Sequence, residues 1–407
     1  MTEHHPRIDQ ARQLLPELLK DLEAIVNIDS GTYNKAGVDQ VGAYLQKRFT
    51  ELGFSTSFDP QQEYGNHLIA TRKGGNPQGA RVLLIGHMDT VFPDGEVEKR
   101  PYTQTVLDGR EIAKGPGVLD MKVGLLMGMY SVDMLLQEDW NEYQSITFVF
   151  NSDEEIGSPA SKELITEWAR KSDAALVLEP GRTLETVVSA RKSSGLYRVE
   201  VWGRSAHAGV EPEKGRNAII ELSHQVQAMQ ALHESFPGVS VNVTSIQGGD
   251  RKNVIPDYAY CDMDVRASNM RGIHEIEEAM QRAVRQQHIP ETQAQVSGSM
   301  RSLPFEHSEV NAPLIRMTQE AGAELGIAIH DVASGGASDA NNTSPVGVPT
   351  LDGLGAGGGL AHNPDEYVEL EYLPERIALL SGLIGRICRQ KAFRSISLDK
   401  NQRRSRG

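Results

Sequence analysis

Five short segments hold the residues of this chain best suited to chemistry. Gly86-His87-Met88-Asp89-Thr90 sets a histidine and an aspartate two positions apart. Residues i and i+2 of an extended segment point the same way. Asp89 can therefore accept the second ring N–H of His87 and fix its tautomer, as carboxylates do behind metal-binding histidines. Asn151-Ser152-Asp153-Glu154-Glu155 presents three acids in a row, and Glu179-Pro180 adds a fourth. Gly115-Pro116-Gly117-Val118-Leu119-Asp120-Met121-Lys122 delivers Asp120 to the front of a helical stretch, a place where aspartate also serves as a helix cap. Gly357-Gly358-Gly359-Leu360-Ala361-His362-Asn363 puts His362 behind a glycine run that lets backbone approach a ligand. Collecting these carboxylates unpaired costs free energy through repulsion and desolvation, and no matching cluster of Lys or Arg accompanies them. Bound divalent cations are the natural counter-charge. Histidine plus carboxylate without cysteine suits zinc, and also manganese or cobalt. Adjacent glutamates can then divide labour, one ligating and the other taking a proton from water whose pKa a cation lowers to ~7.

The elements that must position these groups are visible as periodicity. Continuous apolar runs at 82–85, 146–150 and 174–178 read as strands buried on both faces. Each runs directly into one of the chemical segments, and sites in open α/β sheets form outside the carboxyl ends of strands. Amphipathic spacing predicts helices over residues 8–25 and 38–52, the second stopped by Gly53. Further helices are expected around 123–136 and 159–170. Together these make an α/β layer structure. From about residue 184 the style changes. Strand-like stretches at 186–189, 196–202, 239–246, 258–266 and 292–296 alternate with helices at 217–233 and 275–285. Clear alternation at Tyr258, Tyr260 and Met263 against Asp262 and Asp264 points to an antiparallel sheet with helices on one face. After Arg301 the α/β style resumes with a helix at 312–325, a strand at 327–330 and a last helix to about 387. The expected organisation is a catalytic domain, 1–183 and 299–391, interrupted by an insert at 184–298 and followed by a basic tail at 392–407.

Composition narrows the field. The chain has 407 residues, and ~150 residues per domain predicts two to three domains. Its net charge of −14 argues against binding nucleic acid or an anionic membrane, which needs a basic surface. The two cysteines, Cys261 and Cys388, are too few for a disulfide framework or an all-cysteine metal site. No apolar run reaches the ~18–20 residues of a membrane span, and the first residues lack a signal-peptide pattern, so the expected location is cytoplasmic. His-Glu-x-x-His, Gly-x-Ser-x-Gly and phosphate-loop patterns do not occur.

In these segments, together with Gly203-Arg204-Ser205-Ala206-His207-Ala208-Gly209 and Ser334-Gly335-Gly336-Ala337-Ser338-Asp339, the sequence resembles the dinuclear-zinc aminoacylase and carboxypeptidase metallopeptidases. That family includes glutamate carboxypeptidases, desuccinylases, acetylornithine deacetylases and tripeptide aminopeptidases. The motifs occur in the family's order over nearly the whole chain, and the layout looks most like the glutamate carboxypeptidases. The resemblance implies a mixed, mainly parallel catalytic sheet and an inserted α+β dimerisation domain with a four-stranded antiparallel sheet and two helices. It implies that Asp120 bridges two metals, with His87 and Glu179 completing one site and Glu155 and His362 the other. Glu154 becomes the general base and Asp89 the orienter of His87. His207 becomes a group that reaches a neighbouring subunit's site and stabilises the oxyanion. Asn253 is implied to help hold substrate from the same side. Arg266 and Arg301 are candidates for a substrate carboxylate, which a guanidinium binds bidentately. The implied reaction is hydrolysis of an amide beside a free carboxylate, releasing C-terminal glutamate from peptides or folate-like N-acyl compounds. The alternative within the same chemistry is an N-acyl amino-acid deacylase or desuccinylase. A non-catalytic relative would have lost the base or a ligand, and a calcium module would not need the histidines.

Overall fold

The structure, a computed structural model, describes residues 5–389. The expected start of the chain and the basic tail at 392–407 lie outside the described residues. Two compact units emerge. The first comprises the described residues up to Ser189, His307–Ala333 and those from Ser338 onward; the second comprises Ala190–Glu306 with Ser334–Ala337. The second unit thus begins and ends later than the 184–298 expected from sequence. At the front, Val188 exchanges backbone hydrogen bonds with Asp352 (2.7 and 3.0 Å), which holds residues 186–189 in the first unit. At the back, Arg191 and Phe305 exchange bonds (2.8 and 3.0 Å), which keeps residues past 298 in the second.

The first unit is built on a six-stranded sheet in the order Ser55–Asp59, His67–Lys73, Ser145–Asn151, Arg81–His87, Ala174–Val177, Thr350–Leu351. The first two pairings are antiparallel and the remaining three parallel, giving the mixed α/β sheet. Arg81–His87 lies between Ser145–Asn151 and Ala174–Val177, all pointing the same way, so their carboxyl ends share one edge. Helix Val123–Gln137 is apolar around almost its whole circumference and accordingly buried, from Val123 to Val132 without a break. It packs with helices Pro6–Val26 and Leu373–Arg389. Two glycines let it press on the neighbouring strand end. A Cβ on Gly124 would lie 2.2 Å from the carbonyl oxygen of Leu178, and one on Gly128 would lie 2.7 Å from the Leu178 side chain. A second, antiparallel sheet joins Gly358–Gly359, Tyr367–Glu369, Arg110–Lys114 and Thr103–Leu107. The strand expected at 327–330 forms at His330–Ser334 instead, and Ile327 and Ile329 are buried in the core ahead of it.

The second unit is a four-stranded antiparallel sheet ordered Val239–Gly248, Tyr258–Ala267, Gly195–Trp202, Gln293–Met300. Period-two burial along Tyr258–Ala267 places Ala259, Cys261, Met263, Val265 and Ala267 on one face. That face packs with Leu222 and Met229 of helix Ala218–Gln230 and Ile273, Ile276 and Met280 of helix Met270–Val284.

Candidate metal centre

Parallel pairing makes the site. His87 is the last residue of its strand; Glu154 and Glu155 follow the neighbouring strand by three and four residues; Glu179 follows the other neighbour by two. Asp120 arrives from a different direction, on an irregular turn, Val118–Lys122, with φ −113° and ψ 94°. It does not cap the helix that follows; its carboxylate spans two histidines. Oδ1 lies 3.2 Å from His87 Nε2 and Oδ2 lies 3.2 Å from His362 Nε2. Glu179 Oε1 is 3.7 Å from His87 Nε2, and Glu155 Oε2 is 3.2 Å from His362 Nε2. Donor atoms of His87, Asp120 and Glu155 fall within 4.8 Å of one another, as do those of His87, Glu154 and Glu179. All seven residues expected in the centre, Asp89 included, lie in the first unit.

Asp89 departs from its expected part. His87 Nδ1 is held at 2.9 Å by the backbone carbonyl of Asp89, with the carboxylate farther off at 3.5 Å. The carboxylate accepts instead from the Thr32 hydroxyl (2.7 Å) and from the backbone N–H groups of Glu154 (3.2 Å) and Glu155 (3.3 Å). Asp89 therefore fixes the His87 ring through its main chain and the Glu154–Glu155 turn through its side chain. Behind that turn, Asp339 accepts from Asn151 (2.9 Å) and Ser158 (2.6 Å), and Asp153 accepts from the Ser161 hydroxyl (2.6 Å). Burial pushes the Asp339 carboxyl up to about 6. Nothing in the sequence singled out Thr32, and Asn151, Asp153 and Asp339 read only as parts of motifs.

The charges interlock. Burial raises the Asp120 carboxyl, but hydrogen bonds from His362 and His87 outweigh it and hold it well below the carboxylate range. Burial likewise lowers His87, but Asp120 and Asp89 leave it well above its ordinary value. Hydrogen bonds to Asp120 and Glu155 push His362 up to about 10. Burial, then the neighbouring Glu179, raises the Glu154 carboxyl well above its ordinary value. Burial pulls the Lys122 ammonium, bonded to the Ile28 carbonyl at 2.9 Å, down to about 7. The donor set fits divalent cations. Two imidazoles and a ring of carboxylates converge, and Glu155 Oε1 is buried with no hydrogen-bond partner.

As the proposed ligand, His362 could give its lone pair to a cation only by losing its proton. Since that proton is held up to about pH 10 against an ordinary 6.5, it stabilises chelated protein fully below about 6.5 and ceases to do so as pH rises through about 10. Zinc affinity should accordingly rise between pH 6 and 8, roughly tenfold per unit for each proton displaced. Calorimetry in buffers of different ionisation enthalpy should record proton release at pH 7; binding without release would contradict the linkage.

The remaining candidates lie in the second unit. The short strand Ala206–His207 pairs with Val254–Ile255, so His207 stands opposite Val254 and beside Asn253, whose carbonyl accepts from Ala208 N–H at 3.0 Å. His207 is exposed. Arg266 closes on Asp264 through two bonds (2.9 and 3.2 Å) and on the Gly335 carbonyl (3.1 Å), so a substrate carboxylate would compete with Asp264 for it. Arg301 is exposed, with its backbone N–H on Ser194 O at 2.7 Å. Sheet register separates the two pairs. Arg266 and Arg301 lie next to the residues that pair with Gly195, whereas His207 and Asn253 lie beyond the Trp202 end. The strand Gly195–Trp202 itself spans about 24 Å.

Histidine and carboxylate side chains gathered at the strand ends of a mixed sheet form a donor set that a metal-dependent hydrolase could use. Comparison with known proteins agrees. Peptidase family M20/M25/M40 matches residues 83–386, and the chain belongs to that family. It is 30% identical over 377 residues to carboxypeptidase G2 of Pseudomonas sp. strain RS-16, covering 91% of this chain and 89% of that one. It is 27% identical over 394 residues to an acetylornithine deacetylase of Myxococcus xanthus, covering 92% and 98%. In fold it resembles aminopeptidase PepT of Bacillus cereus, with a TM-score of 0.78 at 23% identity over 92% of this chain and 98% of that one. The protein is thus a metallopeptidase or amidohydrolase. No helix among the described residues is long and apolar enough to cross a membrane.

Proposed function

We propose that the chain is a dinuclear zinc carboxypeptidase that hydrolyses an amide beside a free carboxylate and releases C-terminal glutamate from peptides or folate-like N-acyl compounds. The observation that carries the chemistry is Asp120, whose two oxygens each face a different histidine, 3.2 Å away in both cases. His87 and Glu179 would hold one ion with Asp120, and Glu155 and His362 the other. Bound divalent ions, zinc in the first place with manganese or cobalt as alternatives, would polarise the scissile carbonyl and lower the pKa of the attacking water. Glu154 takes the proton from that water and returns it to the departing nitrogen. Asp89 holds both the His87 ring and the Glu154–Glu155 turn in place for this.

The glutamate preference draws on the resemblance described from sequence and on the 30% identity to a carboxypeptidase. Arg301 and Arg266 are both candidates for the substrate carboxylate, and at Arg266 a substrate would have to compete with Asp264. We further propose a homodimer through the second unit, in which His207 and Asn253 serve the partner's site. The arginines follow the Gly195 end of the sheet register and His207 and Asn253 lie past its Trp202 end, which supports such a division. Exposed Ile219, Ile220 and Ile246 lie on the helix and edge strand next to that end. Both cysteines are buried and unpaired, which fits the proposed cytoplasmic location.

One second reading has its own support, an N-acyl amino-acid deacylase, from the 27% identity to acetylornithine deacetylase. Mass-spectrometric detection of amino-acid release from N-acyl-glutamates, dipeptides and N-acetylornithine, with zinc, manganese and cobalt in turn, separates the two. Glutamate release should dominate, and Arg301→Ala should raise KM about tenfold or more, the cost of losing a charge-assisted pair. Preferential deacetylation of N-acetylornithine would overturn the glutamate assignment, and an unchanged KM would remove Arg301 from the site.

A further inference from the structure

Glu366 is fully buried and spends both carboxylate oxygens on one turn of backbone. Oε1 accepts from the N–H groups of Leu119 (2.7 Å) and Asp120 (2.8 Å), and Oε2 accepts from Gly117 (3.2 Å). The turn has irregular dihedral angles at Asp120 and Met121, so no helix or sheet ladder supplies acceptors for these three donors. Buried backbone N–H groups must be paired, and an ionised carboxylate is the side chain with enough acceptor sites to take three at once.

The carboxylate also joins two loops. Glu366 stands four residues after His362, immediately before strand Tyr367–Glu369. That strand pairs antiparallel with Arg110–Lys114, Tyr367 opposite Lys114. Lys114 leads straight into the turn that carries Asp120, and Tyr367 is the point at which the His362 loop ends. Asp120 and His362 thus spring from adjacent ends of one two-strand ladder, and Glu366 fastens their loops together.

We propose that Glu366 is a positioning residue for the metal centre: it locks the Asp120 turn to the His362 loop, so that both side chains are set for the same cation before it arrives. The inference rests on the reading of Asp120 and His362 as ligands. Groups that orient ligands without touching the ion are worth 10- to 100-fold in affinity, because ligands held ready lose less freedom on binding. A glutamine at 366 keeps one acceptor oxygen and turns an NH₂ group toward a backbone N–H, so even this near-isosteric change should loosen the turn.

The test uses the full chain, stripped with chelator and titrated calorimetrically with zinc alone, for wild type, Glu366→Gln, Glu366→Ala and Asp120→Asn. Hydrogen exchange of the segment 115–122 in the stripped protein is the second readout. Glu366→Gln should weaken zinc binding about 10- to 100-fold and speed exchange in 115–122, with strand Arg81–His87 exchanging as in wild type. At saturating zinc its KM should match wild type. Wild-type zinc affinity in Glu366→Gln overturns the proposal, as does faster exchange spread evenly over the first unit with affinity unchanged. If Glu366→Ala does not fold, Glu366→Gln alone decides. Asp120→Asn separates the two levels. If it too binds zinc like wild type, the ligand reading has failed and the proposal falls with it; if it loses zinc while Glu366→Gln does not, only the role of Glu366 is wrong.

Discussion

Glu154→Gln should lower turnover by about 10³-fold while leaving the divalent-ion content unchanged, since a positioned general base contributes 10²- to 10⁴-fold. That loss is about 4 kcal/mol of transition-state stabilisation. The substitution keeps the shape and removes only the capacity to take a proton. Its effect on stability should run the other way. Burial and then Glu179 hold the Glu154 carboxyl far above its ordinary range. A carboxyl raised on folding stabilises the fold while it is protonated, and that contribution is lost as pH climbs through the folded value. Above that value the charged group is a liability, and an uncharged glutamine relieves it. Thermal melts of chelator-treated protein at alkaline pH should show the variant as stable as wild type or more so. A variant that kept near-normal turnover would mean the base lies elsewhere. Lower stability together with lost metal would mean that Glu154 is itself a ligand, an arrangement its proximity to His87 and Glu179 makes worth testing.

Asp120→Asn should be the more destructive of the two. The one side chain faces both histidines, so its charge serves both proposed ion sites at once. Removing an outer partner costs 10- to 100-fold in affinity, so removing a shared ligand should exceed 100-fold at each site. Metal analysis of the purified variant should find fewer than two ions per chain, and amide hydrolysis should fall below detection. Stability should fall with it. The Asp120 carboxyl is held below its ordinary range, so it contributes stability that is present above the unfolded value and lost as pH drops through the folded one. At neutral pH the variant forfeits that contribution and leaves His87, fully buried, without its closest charged partner. Two tightly bound ions in Asp120→Asn would remove the shared-ligand arrangement altogether.

Much of the centre was legible because local pattern and chemical content coincide. A run such as Leu83, Leu84 and Ile85 marks a buried parallel strand, and the residue at its carboxyl end, His87, is a sequence neighbour of that signal. The same holds for Glu154, Glu155 and Glu179. Asp120 and His362 were flagged by the glycines that deliver them. What local pattern could not reveal depends on distance along the chain. Glu366 binds a turn about 246 positions earlier, and Thr32 holds a carboxylate 57 positions later. The detail of Asp89 was misjudged because period-two geometry describes a straight strand, and the chain leaves its strand at His87. The hairpin Thr103–Leu107 and Arg110–Lys114 escaped notice because its first strand is exposed along its whole length and carries no apolar period. The insert boundaries were displaced because Val188 pairs with Asp352, a contact no run of residues announces.

The ligand set is scattered from His87 to His362, and the helix Leu373–Arg389 that helps close the core comes later still. Synthesis order follows from that spacing. All but four residues of the second unit lie between 190 and 306, so it can begin to fold while the ribosome is still adding the rest. The first unit cannot close until its last helix has emerged. From residue 306 to His362 is roughly 3 to 11 s of elongation at 5–20 residues per second. Throughout that interval the nascent chain carries His87, Asp120, Glu154, Glu155 and Glu179 without His362, so the full donor set of the proposed centre exists only after most of the chain has been made.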